Sequence, residues 1–424
     1  MNNLIQKKKT SKHQIAKLLA IIVFSDHIVN QLVNMYPISL GPLSILQVYR
    51  GLLIFLFICI LFSQRARVFR RNCLIPITVI LFSVSLVMFC IKELVDTDYL
   101  TIESINFYCK IIYWLLLWLI VYLFCQDQSC RIILVGFVAG ITVTAICIYF
   151  GYFSGLGRII VLEKKGILAS AGAYSSAKSF VGTLVCGVVL IPYLWKKDYP
   201  WISAILTLAS IGAIILTYNR SAQVSLAAVL IWMVFWRLVL AGKTLLSKYA
   251  IRLTMFLFLL GSIYFMNLGL TSLRTRWSDL EKPLNRIGSR RLLFYGVAWE
   301  HFSKAESKDF LLGIGFTRLH SLFERKLSDP IHAHSDLFDM LVIGGVLGIL
   351  LLCSLVATLC SELIAIPRSS PEFGAAGAIV CVFLVMGLVT GQLYAVNTMF
   401  TYVGSVTCLN HIASAKNIMN HQTQ

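Results

Sequence analysis

The chain has 424 residues, 58% of them hydrophobic and only 13% charged. Soluble domains carry about 25% charged residues, so this composition excludes an ordinary water-soluble domain. The net charge of +18 would suit a nucleic-acid binder, but most basic residues lie in short loops between apolar runs, which is how membrane proteins fix their orientation.

In chain order, the N-terminus MNNLIQKKKTSKHQ is polar and basic, without the small-residue cleavage site of a removed signal peptide. Twelve apolar runs follow, at 14–34, 44–63, 74–92, 106–125, 132–153, 177–195, 200–217, 221–240, 248–268, 337–360, 373–393 and 396–413. The first and last are the weakest. A run of about 20 apolar residues spans the hydrocarbon core as a helix, because lipid cannot satisfy exposed backbone groups. The alternating pattern of a β-barrel is absent. The expected fold is therefore all-α, a polytopic integral membrane protein of about 12 transmembrane helices and a single domain over residues 1–424.

Lys7, Lys8 and Lys9 and the cluster Arg65, Arg67, Arg70 and Arg71 mark the cytoplasmic side, as do Lys196, Lys197, Arg237, Lys243 and Lys248. The acidic loop KELVDTDYLTIES then lies outside, and an even number of spans leaves both termini in the cytoplasm. Two external segments stand out: 155–176, which contains Arg158, and the long loop 269–336, too polar to span and too long for a connector. Within the loop, Leu293, Val297 and Phe302 have near-helical spacing, suited to an amphipathic helix on the membrane surface. The twelve cysteines form no CxxC pair and fall in apolar runs or cytoplasmic loops, so they are expected to be small buried hydrophobes without disulfides or zinc.

Cations within the bilayer need a reason, since each costs at least ~2.5–3.5 kcal/mol on insertion scales. Arg50, Lys110, Lys178 and Arg220 all fall near the external ends of their spans, the side that basic residues avoid. Together they imply an outward-facing cationic cavity for an anion, with phosphate or pyrophosphate fitting best. Arg220, in LTYNRSAQVSL, occupies a very short external turn that by itself requires no arginine. Arg290 and Arg291 in GSRRLLFYGVAW read either as a solvated basic face or as further anion ligands. His334, in IHAHSDLFDMLVIGGVLG, sits at the mouth of a span, where a neutral imidazole could take a proton from a sugar hydroxyl or simply cap the helix. Asp336 suits the first turn of that helix, and Gly344, Gly345 and Gly348 suit close helix packing. His332 and His334 lack a clear third ligand, so no metal and no cofactor is expected. Asp96-Thr97-Asp98 resembles a carboxylate pair of some membrane glycosyltransferases, against the plainer reading of a short acidic loop.

These residues resemble the O-antigen ligase and polymerase superfamily of bacterial membrane glycosyltransferases. Twelve spans with a large periplasmic loop between helices 9 and 10, a GT-C-like layout, are similar to the ligases. LTYNR resembles the family's arginine motif at the start of span eight. GSRRLLFY resembles its Gly-x-Arg segment followed by an aromatic, where Arg291 with Tyr295 has the better spacing and Arg290 is the rival. His334-Ser335, nine residues, then Gly345-Val346-Leu347-Gly348 matches the ligase pattern H[NSQ]-x9-GxxG. AGAYSSAKSFVG, 171–182, resembles the segment before span six of enterobacterial ligases.

The resemblance implies a metal-independent, inverting transfer on the periplasmic side of the bacterial inner membrane. The donor would be a glycan on undecaprenyl pyrophosphate, and the acceptor a lipid A-core sugar in a ligase or another lipid-linked glycan in a polymerase. His334, Arg220 and Arg291 would be catalytic. Arg290, Tyr295, His332, Arg50, Lys110, Lys178 and Arg158 would bind substrate. Membrane lipids are partners and nucleic acid is not. The HxH pair and the AGAYSS segment favour the ligase. A glycolipid flippase is the reading from another class, disfavoured because the intramembrane cations cluster on one side. Asp26 has no obvious partner in the sequence.

Overall fold

A computed structural model describes residues 2–35, 39–40, 43–63, 74–97, 100–125, 127–154, 159–162, 167–170, 180–217, 219–240, 291–327, 335–393 and 395–422. They form a helical bundle: α1 (Asn2–Met35), α2 (Ile45–Ser63), α3 (Leu74–Thr97), α4 (Ile102–Phe124), α5 (Asp127–Ser154), α6 (Val181–Trp195), α7 (Pro200–Leu216) and α8 (Arg220–Phe235), which runs on into a π-helical turn, Trp236–Leu240. The external loop contributes α9 (Arg291–Ser303), α10 (Ser307–Leu312) and α11 (Gly315–Leu327). The bundle resumes with α12 (Asp336–Ile364), α13 (Pro371–Val389) and α14 (Val396–Gln422). Two short antiparallel hairpins, Ser39–Leu40 with Leu43–Ser44 and Ile159–Leu162 with Ile167–Ser170, lie outside the helical pattern.

Among the described residues, six helices are long and apolar enough to cross a membrane: Leu74–Thr97, Ile102–Phe124, Ser129–Phe153, Ser221–Leu238, Asp336–Ile364 and Pro371–Val389. Three more, Leu46–Leu61, Val181–Trp195 and Pro200–Leu216, are apolar but shorter. The fold is that of an all-α membrane protein. The expected run 248–268 lies outside the described residues, which therefore do not give the full number of spans.

The bundle is tied by packing and by polar pairs between helices. α1 lies against α5, α8 against α13, and α14 against both α4 and α5. Trp232 donates to the Gly374 carbonyl at 2.9 Å, and Gly377 gives its indole room that a methyl group would take. Thr78–Thr358 (2.7 Å), Trp118–Thr407 (2.8 Å) and Thr183–Thr398 (2.9 Å) join helices far apart in sequence. Lipid supplies no hydrophobic force between helices, so such contacts carry association, at about 0.6 kcal/mol each on average.

Two features depart from the reading of the sequence. First, Gly345 is more than a site of close packing. At φ 57°, ψ −143° it interrupts α12 inside the span. The break frees the Val342 carbonyl, which accepts from the Ile314 amide of the external loop at 2.9 Å. A side chain at 345 would strike the Phe310 carbonyl at 2.4 Å, so a glycine with positive φ is required. Second, the loop helix that begins at Arg291 buries Phe294 and Ala298, one residue round from the expected stripe; Val297 is only half-buried. It packs on α12.

Candidate active site at three helix starts

Two of the residues expected to be catalytic, Arg220 and Arg291, fall at helix beginnings. Arg220 is the first residue of α8, and local chemistry explains why the helix starts there. The Asn219 side chain accepts from the Ala222 amide at 3.2 Å and from the Ser221 hydroxyl at 2.6 Å, a standard N-cap. Arg291 is the first residue of α9. α12 starts at Asp336, two residues after His334, with Ser335 as its N-cap residue. Arg220 and Arg291 are placed by their backbones, and their side chains lie outside what is described. His332, His334, Arg290, Lys178 and Arg158 lie outside the described residues.

All three helices are fastened near their starts to one short stretch of chain, the end of α13 and its connector to α14. Thr390 donates to the Ser221 hydroxyl at 2.6 Å, which ties down the start of α8. One oxygen of Asp336 accepts from the amides of Gln392 (2.6 Å) and Leu393 (3.0 Å), which ties down the start of α12. Tyr295, in the second turn of α9, stacks on Phe338 with ring centroids 4.5 Å apart and donates to the Leu388 carbonyl at 3.3 Å. The connector turns through Gly391 at φ 72°, and Thr390, Gln392 and Leu393 are fully buried. Trp114 holds it from α4 by donating to the Leu393 carbonyl at 3.0 Å.

Helix N-termini carry partial positive charge and unpaired amides, so a meeting of several is a place for anions. At α12 the buried Asp336 and Asp339 in the first turn offset part of that field, and one oxygen of Asp336 is turned to the connector. The other oxygen of Asp336 and the Ser335 hydroxyl are buried without a partner among the described residues.

Arg50 and Lys110 stand elsewhere. Arg50 forms a fork with Asp26, Nε to Oδ1 and Nη2 to Oδ2 both at 3.1 Å, and reaches Asn397 at 3.5 Å. This corrects the picture of Arg50 as an open ligand in a shared cationic cavity. An unpaired guanidinium at that depth is costly, and Asp26, whose partner the sequence did not reveal, meets it with bidentate geometry. Lys110, on α4, lies within electrostatic reach of Arg50. The two belong to the packing of α1, α2 and α4.

Asp96 is also accounted for. It accepts from Lys92 at 2.9 Å and Lys308 at 2.5 Å, and Arg318 lies 3.7 Å away. Lys92 further binds Asp309 at 2.8 Å. Asp96 therefore fastens the external loop to α3, and Asp98 lies outside the described residues. The neighbouring Glu93, which no sequence motif marks, is buried and accepts from Ser104 (2.6 Å), Tyr108 (2.8 Å), the amides of Phe316 (3.2 Å) and Thr317 (2.9 Å), and the Thr317 hydroxyl.

Residues 204–353 match the family model described as O-Antigen ligase. The match supports the O-antigen ligase superfamily for that segment. The matched segment runs from α7 into α12 and contains Arg220, Arg291, His334 and the Gly345–Gly348 motif. No curated protein matches the chain. The match and the apolar helices together support an O-antigen ligase-like membrane protein.

Proposed function

We propose that the protein is an O-antigen ligase of the bacterial inner membrane, working at the periplasmic face with both termini in the cytoplasm. It moves a glycan from undecaprenyl pyrophosphate to a sugar hydroxyl of the lipid A core. The observation that carries this reading is the fastening of three helix starts, at Arg220, at Arg291 and just after His334, to the single stretch Leu388–Leu393. The starts of α8 and α9, each opening on an arginine, suit a pyrophosphate, and the start of α8 lies at the end of an apolar helix where a lipid head group would sit.

The chemistry follows from those positions. The acceptor oxygen attacks the anomeric carbon, the bond to the pyrophosphate oxygen breaks, and configuration inverts. His334 takes the acceptor proton or orients the hydroxyl. Arg220 and Arg291 bind the charge that grows on the departing pyrophosphate, a task that another enzyme would give to a metal ion. Tyr295, stacked on Phe338, holds α9 in place, so that Arg291 and its rival Arg290 stay near the donor.

The His332–His334 pair and the AGAYSSAKSFVG segment favour a ligase over a polymerase, which would use the same donor. A flippase would need a route through to the far side. The break within a span at Gly345 is instead filled by the Phe310–Ile314 stretch of the external loop, which argues for docking rather than transport. The lipopolysaccharide gel pattern of a deletion strain tests the assignment. A ligase predicts loss of all glycan caps with free lipid-linked polymer accumulating. A core bearing a single repeat would make the protein a polymerase.

A further inference from the structure

Away from the helix starts, the external loop builds a second concavity of about 580 Å³, within the range of small-molecule sites. One wall is α11. Arg318, Leu322, Arg325 and Lys326 lie at spacings of four, seven and eight residues, which places them on one face of that helix. The adjoining face is anchored: Leu319 and Phe323 are completely buried, and Phe323 packs edge-on against Phe294 of α9 with centroids 5.7 Å apart. Across the cleft stand His301 of α9 and Asp309 of α10.

The charges of this cleft do not cancel. Asp309, the acid in its lining, is already bound by Lys92 at 2.8 Å. Glu300 at the rim is shared between Lys304 at 2.9 Å and Lys326 at 3.7 Å. Arg318 donates to the Asp96 carbonyl at 2.6 Å, which braces its guanidinium. Arg325 donates from Nε to the Ser321 carbonyl at 3.1 Å, leaving its two terminal nitrogens without a partner among the described residues. The helix dipole accounts for basic residues in the last turn of α11, but it opposes Arg318 in the first. Burial holds the His301 pKa below its usual value, although Asp309 raises it, so at neutral pH the ring offers a hydrogen bond rather than a further charge.

We propose that this cleft is a binding site for a phosphate group carried by a saccharide, the anionic part of the acceptor glycan. Arg325 and Lys326 grip the phosphate, Arg318 sets its depth, and Ile314 with Leu322 forms an apolar floor for a sugar ring. The identity of the glycan as acceptor rests on the glycosyl-transfer reading above, while the phosphate site does not. Braced arginines lose little freedom on binding and suit the planar, two-point recognition of phosphate oxygens.

The test uses the full chain in nanodiscs of phosphatidylcholine and measures binding of maltotriose phosphate and of maltotriose by saturation-transfer NMR. The phosphorylated sugar is expected to bind about tenfold or more tightly, as charge-assisted hydrogen bonds allow. That preference is expected to vanish in the double variant Arg325→Gln/Lys326→Gln and to persist in Arg220→Ala. Both substituted positions are exposed, so the variant is expected to keep the parent's elution volume and melting curve. Equal binding of the two sugars, or loss of the preference in Arg220→Ala but not in the double variant, would overturn the proposal. Discs containing phosphatidylglycerol distinguish the other source of phosphate: displacement of the sugar by that lipid would overturn the saccharide assignment and give the cleft to a headgroup. Because no transfer is measured, failure of the ligase assignment leaves this result readable.

Discussion

The starts of α11 and α8 face similar demands and meet them in opposite ways. At α11 the buried Glu93 carboxylate accepts the amides of Phe316 and Thr317, so the chain supplies its own anion to the positive helix end. At α8 the cap is the neutral Asn219, and the next residue is a cation, Arg220. At α11 the protein fills the helix end itself; at α8, on the function proposed above, the anion is left to the substrate. Within the bundle, Arg50 is likewise matched by an internal carboxylate, Asp26.

The largest effect that would break this contrast belongs to His334. His334→Ala is expected to stay in the membrane at normal levels and to lose glycan transfer in a purified assay; transfer at the parent rate would remove the general-base role. Next comes Arg220→Lys, which keeps the charge and loses the planar fork. We expect transfer to fall about 100-fold, the scale of losing one donor to a developing oxyanion. Full activity would reduce Arg220 to a point charge.

The other half of the comparison predicts stability effects. Glu93→Ala takes the acceptor from the Tyr108 hydroxyl and the Phe316 and Thr317 amides, at about 1–3 kcal/mol for a group so stranded. A melting temperature several degrees lower, with earlier proteolysis of the loop, is the expected readout. An unchanged melt would show that α11 does not depend on its internal anion. Asp96→Asn weakens a partly exposed ion network and is expected to cost about 1 kcal/mol or less. A larger loss in the same melt would mean that the Lys92–Asp96–Lys308 cluster, not Glu93, docks the loop.

Much of the fold is legible because membrane helices announce themselves by apolar length. The run at 200–217 corresponds to Pro200–Leu216, and the run at 74–92 to the start of Leu74–Thr97. The helix starts at Arg220 and Asp336 are also legible, through Asn219 and Ser335 in capping positions. The connector is not. Thr390-Gly391-Gln392 falls inside the apolar run at 373–393, since three polar or small residues barely lower the mean of an apolar window. The break at Gly345 is hidden for a related reason: GxxG serves helix packing as readily as helix rupture, and only the approach of Phe310 and Gly313 decides between them. Pairing is least legible. Asp26 with Arg50 joins positions 24 residues apart, and Glu93 with Thr317 joins positions 224 apart, distances over which one sequence carries no pattern.

Photo-crosslinking with a diazirine-bearing polyprenyl pyrophosphate, followed by peptide mapping, most directly tests whether the three helix starts form the donor site. Labels are expected on the starts of α8, α9 and α12 and on Leu388–Leu393, and are expected to be lost on competition with unlabelled donor. Competable labelling confined to α1 and α2 around Asp26 and Arg50 would contradict the assignment and move the donor site to that ion pair.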